Sequence, residues 1–114
     1  MTDTAAAAVS AFNEAINARD IGRLTSLMTE GHRFIDSTGT VVSGKQACAD
    51  AWRGFFAAFP DYRNVFTLVS NAGGGVVEIA GHSECSEPVL AGPARWQAIV
   101  VNGLVDEWRV YETG

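Results

Sequence analysis

The chain reads as an α+β domain in which helices pack on one face of an antiparallel sheet. Two observations predict this. In the first half, apolar residues recur at spacings of three and four, the period of a helix with one buried stripe. From Asp61 onward the period changes, and four strand-like segments follow one another. Helices first and a strand meander second is the pattern of a helical layer on a sheet. At 114 residues the chain has the length of one domain, taken as 1–114.

The first helix is written in "AAAAVSAFNEAINAR", where Ala5, Val9, Phe12 and Ile16 form one apolar stripe. Asp20 is placed to cap a short second helix, because its side chain can accept from first-turn N–H groups. That helix is predicted to turn Leu24, Leu27 and Met28 inward and to end at Gly31. "HRFIDS" and "TVVSG" then read as two short strands joined at Thr38-Gly39. Ser43 and Gln46 have the spacing of a capping box for a third helix. In that helix, "KQACADAWRGFFAAF", Ala51, Phe55 and Phe59 form one stripe, with Cys48, Trp52 and Phe56 beside it, and Pro60 stops it.

The four later strands are "YRNVFTLVS", "GVVEIAGHSE", "ARWQAIVVN" and "LVDEWRVYE". "NAGGG" and "NG" mark two of the joins, and Asn-Gly is a strong hairpin signal because both residues tolerate positive φ. "CSEPVLAGP" is a longer loop between the middle pair. Runs such as "VVEIA" and "AIVV" are apolar at successive positions, so both sheet faces are expected to be covered. Helices account for one face. A second subunit is expected on the other, giving a homodimer through the sheet.

The formal net charge is −5, with 13 acidic and 8 basic side chains. That argues against nucleic acid as a partner, since such affinity comes largely from Lys and Arg on phosphates. It argues equally against anionic lipid. No apolar run is long enough to span a bilayer. "MTDTAAAAVSAF" has no basic n-region, so no signal peptide is read there and a cytoplasmic location is expected. Cys48 and Cys85 form no Cys-x-x-Cys pair and read as free thiols, with one disulfide as the alternative. Two histidines without a His-x-His spacing give no metal-site pattern. Gly73, Gly74 and Gly75 match neither a phosphate loop nor a dinucleotide fingerprint. Neither a metal nor a nucleotide cofactor is therefore expected.

Taken in order, the amphipathic helix leading into "NARDIGRLTSLM", then "HRFIDSTGTVVSG", then "FFAAFPDYR" and the closing hairpin "VVNGLVDEWRVYE" resemble the NTF2-like superfamily and its SnoaL-like members. The resemblance covers essentially the whole chain. It implies a cystatin-like fold, a curved antiparallel sheet wrapped around the helices to form a cone-shaped pocket. The superfamily includes ketosteroid isomerases, polyketide cyclases, epoxide hydrolases, dehydratases and non-catalytic members, so fold alone does not choose among them. From Val9 to Asp36 the chain is similar to the ketosteroid isomerases without a gap. By that resemblance Asp36 falls at the general-base aspartate, Phe12 at the oxyanion-hole tyrosine, and Gln97 near the protonated aspartate. Phe12 has no hydroxyl to donate, which argues against steroid isomerisation. Gln97 retains an amide donor.

Asp36 has two readings. In a strand it shares a face with His32 and Phe34, and an apolar cone would raise its pKa toward general-base use. Alternatively it opens the Asp-Ser-Thr-Gly turn by accepting backbone N–H groups. His32 can orient that carboxylate, or serve a strand start. His82 can enter the cavity, or bond a sheet neighbour. Arg63 can hold a ligand oxygen, or pair with Asp61 or a strand glutamate. Trp52, Phe56 and Trp108 can line the pocket, and in a cone the core side chains are also the wall. The leading functional expectation is a cofactor-free acid–base enzyme of isomerase, cyclase or dehydratase type acting on a small, mostly apolar carbonyl compound. In it Asp36 is the base, with Gln97 and a histidine at the oxyanion. The alternative is a non-catalytic dimer that binds an apolar small ligand or a protein partner.

Overall fold

Helix α1 (Thr4–Ala18) buries Val9, Phe12 and Ile16, the stripe its spacing predicts. The computed structural model describes residues 4–111. Helix α2 (Ile21–Ser26) follows, capped by Asp20, whose carboxylate accepts from the Arg23 N–H at 3.0 Å. It ends at Leu27, earlier than Gly31, and Met28 already opens strand β1 (Met28–Ile35). Gly31 is a strand residue. The reason is pairing: the Val105 N–H donates to Leu27 O at 2.7 Å, which draws the chain into the sheet.

Strand β2 (Val41–Ser43) hairpins onto β1, and α3 (Lys45–Ala58) follows. The capping box does not form. Gly44 takes the N-cap at φ 99° with no side-chain cap, so Ser43 stays in the strand. The buried face of α3 is Cys48, Ala49, Trp52 and Phe56, while Ala51 is exposed and Phe55 and Phe59 are half-buried. The stripe is thus rotated from the predicted one, because two apolar rows lie side by side and only docking chooses between them.

The meander is β3 (Arg63–Gly73), β4 (Val76–Glu84), β5 (Gly92–Val101) and β6 (Leu104–Tyr111), with a 3₁₀ turn at Pro88–Leu90. At the β5–β6 hairpin Asn102 and Gly103 both have positive φ, 51° and 80°, as the Asn-Gly signal requires. The order across the six-stranded sheet is β2-β1-β6-β5-β4-β3. All neighbours are antiparallel except β1 and β6, which run parallel. That pair corrects the purely antiparallel expectation. Its partners, such as Phe34 and Trp108, lie more than seventy positions apart in the chain, so no local pattern announces them. Register shifts at Phe66/Leu68, Asn71/Gly73 and Ile99/Val100 bend the strands as β-bulges do, and the open sheet curves.

The inner sheet face carries Val77, Ile79, Trp96, Ala98 and Trp108, packed against α1. Phe12 sits at the centre, its ring 4.7 Å from that of Trp108 and 5.6 Å from that of His32. Cys48 and Cys85 are both free thiols. Among the described residues, no helix is long and apolar enough to cross a membrane.

Candidate functional site: the cone between α3 and the sheet

A cavity of about 700 Å³ opens between α3 and the inner face of the sheet. Trp52 and Phe55 of α3 form one wall, and Phe34, Trp96, Trp108 and Val110 of the sheet form the other. The segment from Val89 to Ala94 closes one side. Aromatic edges hold the wall together: Phe34 meets Trp52 at 5.5 Å and Phe55 meets Tyr62 at 4.8 Å, both edge to face. At the rim, Val89 is 86% exposed.

Asp36 stands in the rim of this cavity. Its Oδ1 accepts from the Thr38 N–H at 2.9 Å, the Thr38 hydroxyl at 2.6 Å and the Thr40 N–H at 3.0 Å. The group is exposed, and the Thr38 hydroxyl, with backbone N–H groups, holds its pKa below the ordinary 3.8. A raised pKa would have needed an apolar surrounding without these donors. The turn supplies donors instead.

His32 lies outside the cavity wall. It is fully buried, with Nδ1 2.7 Å from Val105 O, so that nitrogen carries the proton and donates it. Nε2 is buried without a partner among the described residues. Burial pushes the imidazole below 6.5, against the opposing pull of the Val105 carbonyl. Met28 and Arg33 bracket a register shift in β1. Phe34 and Asp36 reach the cavity, whereas His32 sinks under Phe12.

Gln97 faces the other way. Trp96 and Ala98 are buried on the inner face, so Gln97 lies on the outer one, where its amide donates to Glu78 Oε1 at 2.7 Å. His82 is on the same outer face, 3.3 Å from Glu84 Oε2. Arg63 is exposed at the start of β3, opposite Glu84 and away from the cavity wall. Phe12 packs behind Trp108 as pure core, and Phe56 packs beneath the Arg19 guanidinium at 5.7 Å. Of the predicted site residues, the fold brings Asp36, Trp52 and Trp108 to the cavity and leaves His32, Gln97, Phe12, Phe56, Arg63 and His82 outside its wall.

Among the wall residues that were not anticipated, Tyr62, Asn64 and Ser83 form a hydrogen-bonded polar cluster. Ser83 Oγ donates to Asn64 Oδ1 at 2.9 Å, and the Tyr62 hydroxyl lies 3.2 Å from Ser83 Oγ. Asn64 is clamped to α1. Its N–H donates to Asn17 Oδ1 at 2.9 Å, and its carbonyl accepts from Asn17 Nδ2 at 2.8 Å and Asn13 Nδ2 at 3.3 Å. Burial raises the Tyr62 phenol above its ordinary 10, while Ser83 and Asn64 pull the other way. Tyr62 is therefore a neutral hydroxyl at physiological pH. The sequence held a signal for this cluster: Asn64 and Phe66 alternate on the inward face of β3, Tyr62 just before the strand continues that spacing, and polar residues in an apolar row need a reason.

Among the described residues, no group of histidine, cysteine or carboxylate side chains is arranged to hold a metal ion. The profile of the SnoaL-like domain family matches residues 9–114. None of the curated proteins matches the chain. Among solved structures, an uncharacterized cystatin-fold protein from Novosphingobium aromaticivorans superposes with a TM-score of 0.82 at 17% identity, covering 95% of this chain and 97% of that one. An epoxide hydrolase of the LEH-like type from Mycobacterium tuberculosis gives 0.82 at 18% identity, covering 96% and 83%. A protein provisionally described as a polyketide cyclase, from Sinorhizobium meliloti, gives 0.81 at 14% identity, covering 90% and 92%. At such identities these structures share the fold.

Proposed function

The chain belongs to the SnoaL-like domain family, and we propose that its cone is a receptor for a small, mostly apolar molecule, with binding as the primary activity. One observation carries this reading: a 700 Å³ cavity walled mainly by apolar side chains, aromatic and aliphatic together, with few polar groups. The acid–base alternative keeps Asp36 as its base, because Asp36 stands at the rim. Three donors on its Oδ1 stabilise the anion and weaken it as a base. Neither Gln97 nor His32 lines the cavity with it. Binding therefore ranks ahead of catalysis.

The test is titration with N-phenyl-1-naphthylamine, a neutral probe whose emission rises in apolar surroundings. Saturable binding with quenching of tryptophan emission is expected, since Trp52, Trp96 and Trp108 are wall residues. Ala51→Trp, which adds bulk at the rim, should weaken it. No saturable binding, or binding indifferent to Ala51→Trp, would sink the reading. The same proposal includes a second copy of the chain on the outer sheet face, where Leu68 is 60% and Val101 44% exposed. Light scattering showing a monomer at micromolar concentration would remove that part alone.

A further inference from the structure

We propose that Tyr62, Asn64 and Ser83 form the polar end of the cavity and read one uncharged oxygen, a hydroxyl or carbonyl, on an otherwise apolar ring compound. The proposal rests on the receptor reading above and adds the ligand's chemistry.

Asn64 and Ser83 are both buried, facing each other across the β3–β4 ladder. The hydrogen bonds have a direction. Ser83 gives its proton to Asn64 Oδ1, so Ser83 Oγ is left to accept. Tyr62 can fill that place or turn its O–H to a ligand. Its own oxygen keeps lone pairs for a ligand hydroxyl. The Asn64 amide, held at Oδ1, leaves Nδ2 buried with no partner among the described residues. Trp52 Nε1, on a side chain only 7% exposed, is likewise unpartnered. Buried donors without acceptors are uncommon in folded proteins, and each one in a cavity wall asks for an explanation. A ligand oxygen supplies the missing acceptor.

Charge narrows the class further. Among the described residues, no Lys, Arg or His lines the cavity, and the one charged wall residue is Asp36. A carboxylate or phosphate would lose its hydration there and meet no cation. The oxygen must be neutral.

The experiment is displacement of N-phenyl-1-naphthylamine by three matched probes at neutral pH: naphthalene, 2-naphthol and 2-naphthoate. 2-Naphthol is expected to bind about three- to tenfold tighter than naphthalene, the worth of one hydrogen bond, and 2-naphthoate weakest of the three. Tyr62→Phe and Ser83→Ala should each shrink the ratio of 2-naphthol affinity to naphthalene affinity toward one. Thermal melts confirm that each variant folds. Should one fail, the other and the wild-type ranking still decide. Equal binding of naphthalene and 2-naphthol, a preference that survives both substitutions, or tightest binding of 2-naphthoate overturns the oxygen site and leaves the apolar receptor standing. If neither N-phenyl-1-naphthylamine nor any of the three binds, the receptor reading itself falls and takes this one with it.

Discussion

Two polar corners of one cavity close their hydrogen bonds in different ways. At Asp36, every donor on Oδ1 comes from within four residues of chain, and the group is exposed. At Tyr62, Asn64 and Ser83, the partners come from β3, β4 and α1, they are largely buried, and one amide donor remains over. The first corner is a turn that would form in much the same way on another scaffold. The second exists only when helix and sheet have docked. A carboxylate that stands out in the chain is thus engaged locally, and the polar group open to a ligand is built from an asparagine, a serine and a tyrosine that attract little notice.

The largest perturbation of the buried corner is expected from the core behind it. Phe12→Ala removes a fully buried ring that supports Trp108. It should cost about 3–5 kcal/mol in urea unfolding, with loss of probe binding near the transition. A loss below 1 kcal/mol would mean that Phe12 is not the packing centre. Next comes Gly81→Ala. A Cβ there would collide with the Val65 carbonyl oxygen, a backbone atom that cannot swing away, so β3 and β4 must part beside the Asn64–Ser83 pair. About 1–3 kcal/mol should be lost, and the Asn64 and Ser83 amide resonances should shift, whereas those of Thr38 and Thr40 should stay.

His32 separates the two regions by pH. Its folded pKa lies below 6.5, so the unfolded chain binds the proton more tightly. Its contribution to stability is present above 6.5 and is lost as pH falls from there toward the lowered folded value. Urea midpoints at about pH 7.5 and 5.5 should show this slope, and His32→Gln should flatten it. An unchanged slope in the variant would assign the effect to other groups. The smallest effect is expected at the exposed corner. Asp36 is held below 3.8, so its stabilisation appears above that value and fades as pH falls through the lowered one. Asp36→Asn should leave probe affinity untouched and lower the melting temperature only slightly, near neutral pH. A large loss of affinity would move the polar anchor from Tyr62 to the rim and reverse the comparison.

Local pattern alone marked α1, the Asp20 cap, the four strands of the meander and the Asn-Gly hairpin, through periodicity, capping chemistry and turn residues that act within a few positions. The Asp36 turn was equally open to reading, as one of two alternatives. Which alternative holds, which of two apolar rows on α3 is buried, and the parallel seating of β6 beside β1 were decided in three dimensions. The faces of β4 and β5 were decided there too, and they set Gln97 and His82 outside the cavity while Ser83 lies within its wall. In a strand a single step of register turns every side chain to the other face. Local sequence therefore names candidates for a site, but the pairing of distant strands and the docking of helices choose which of them meet.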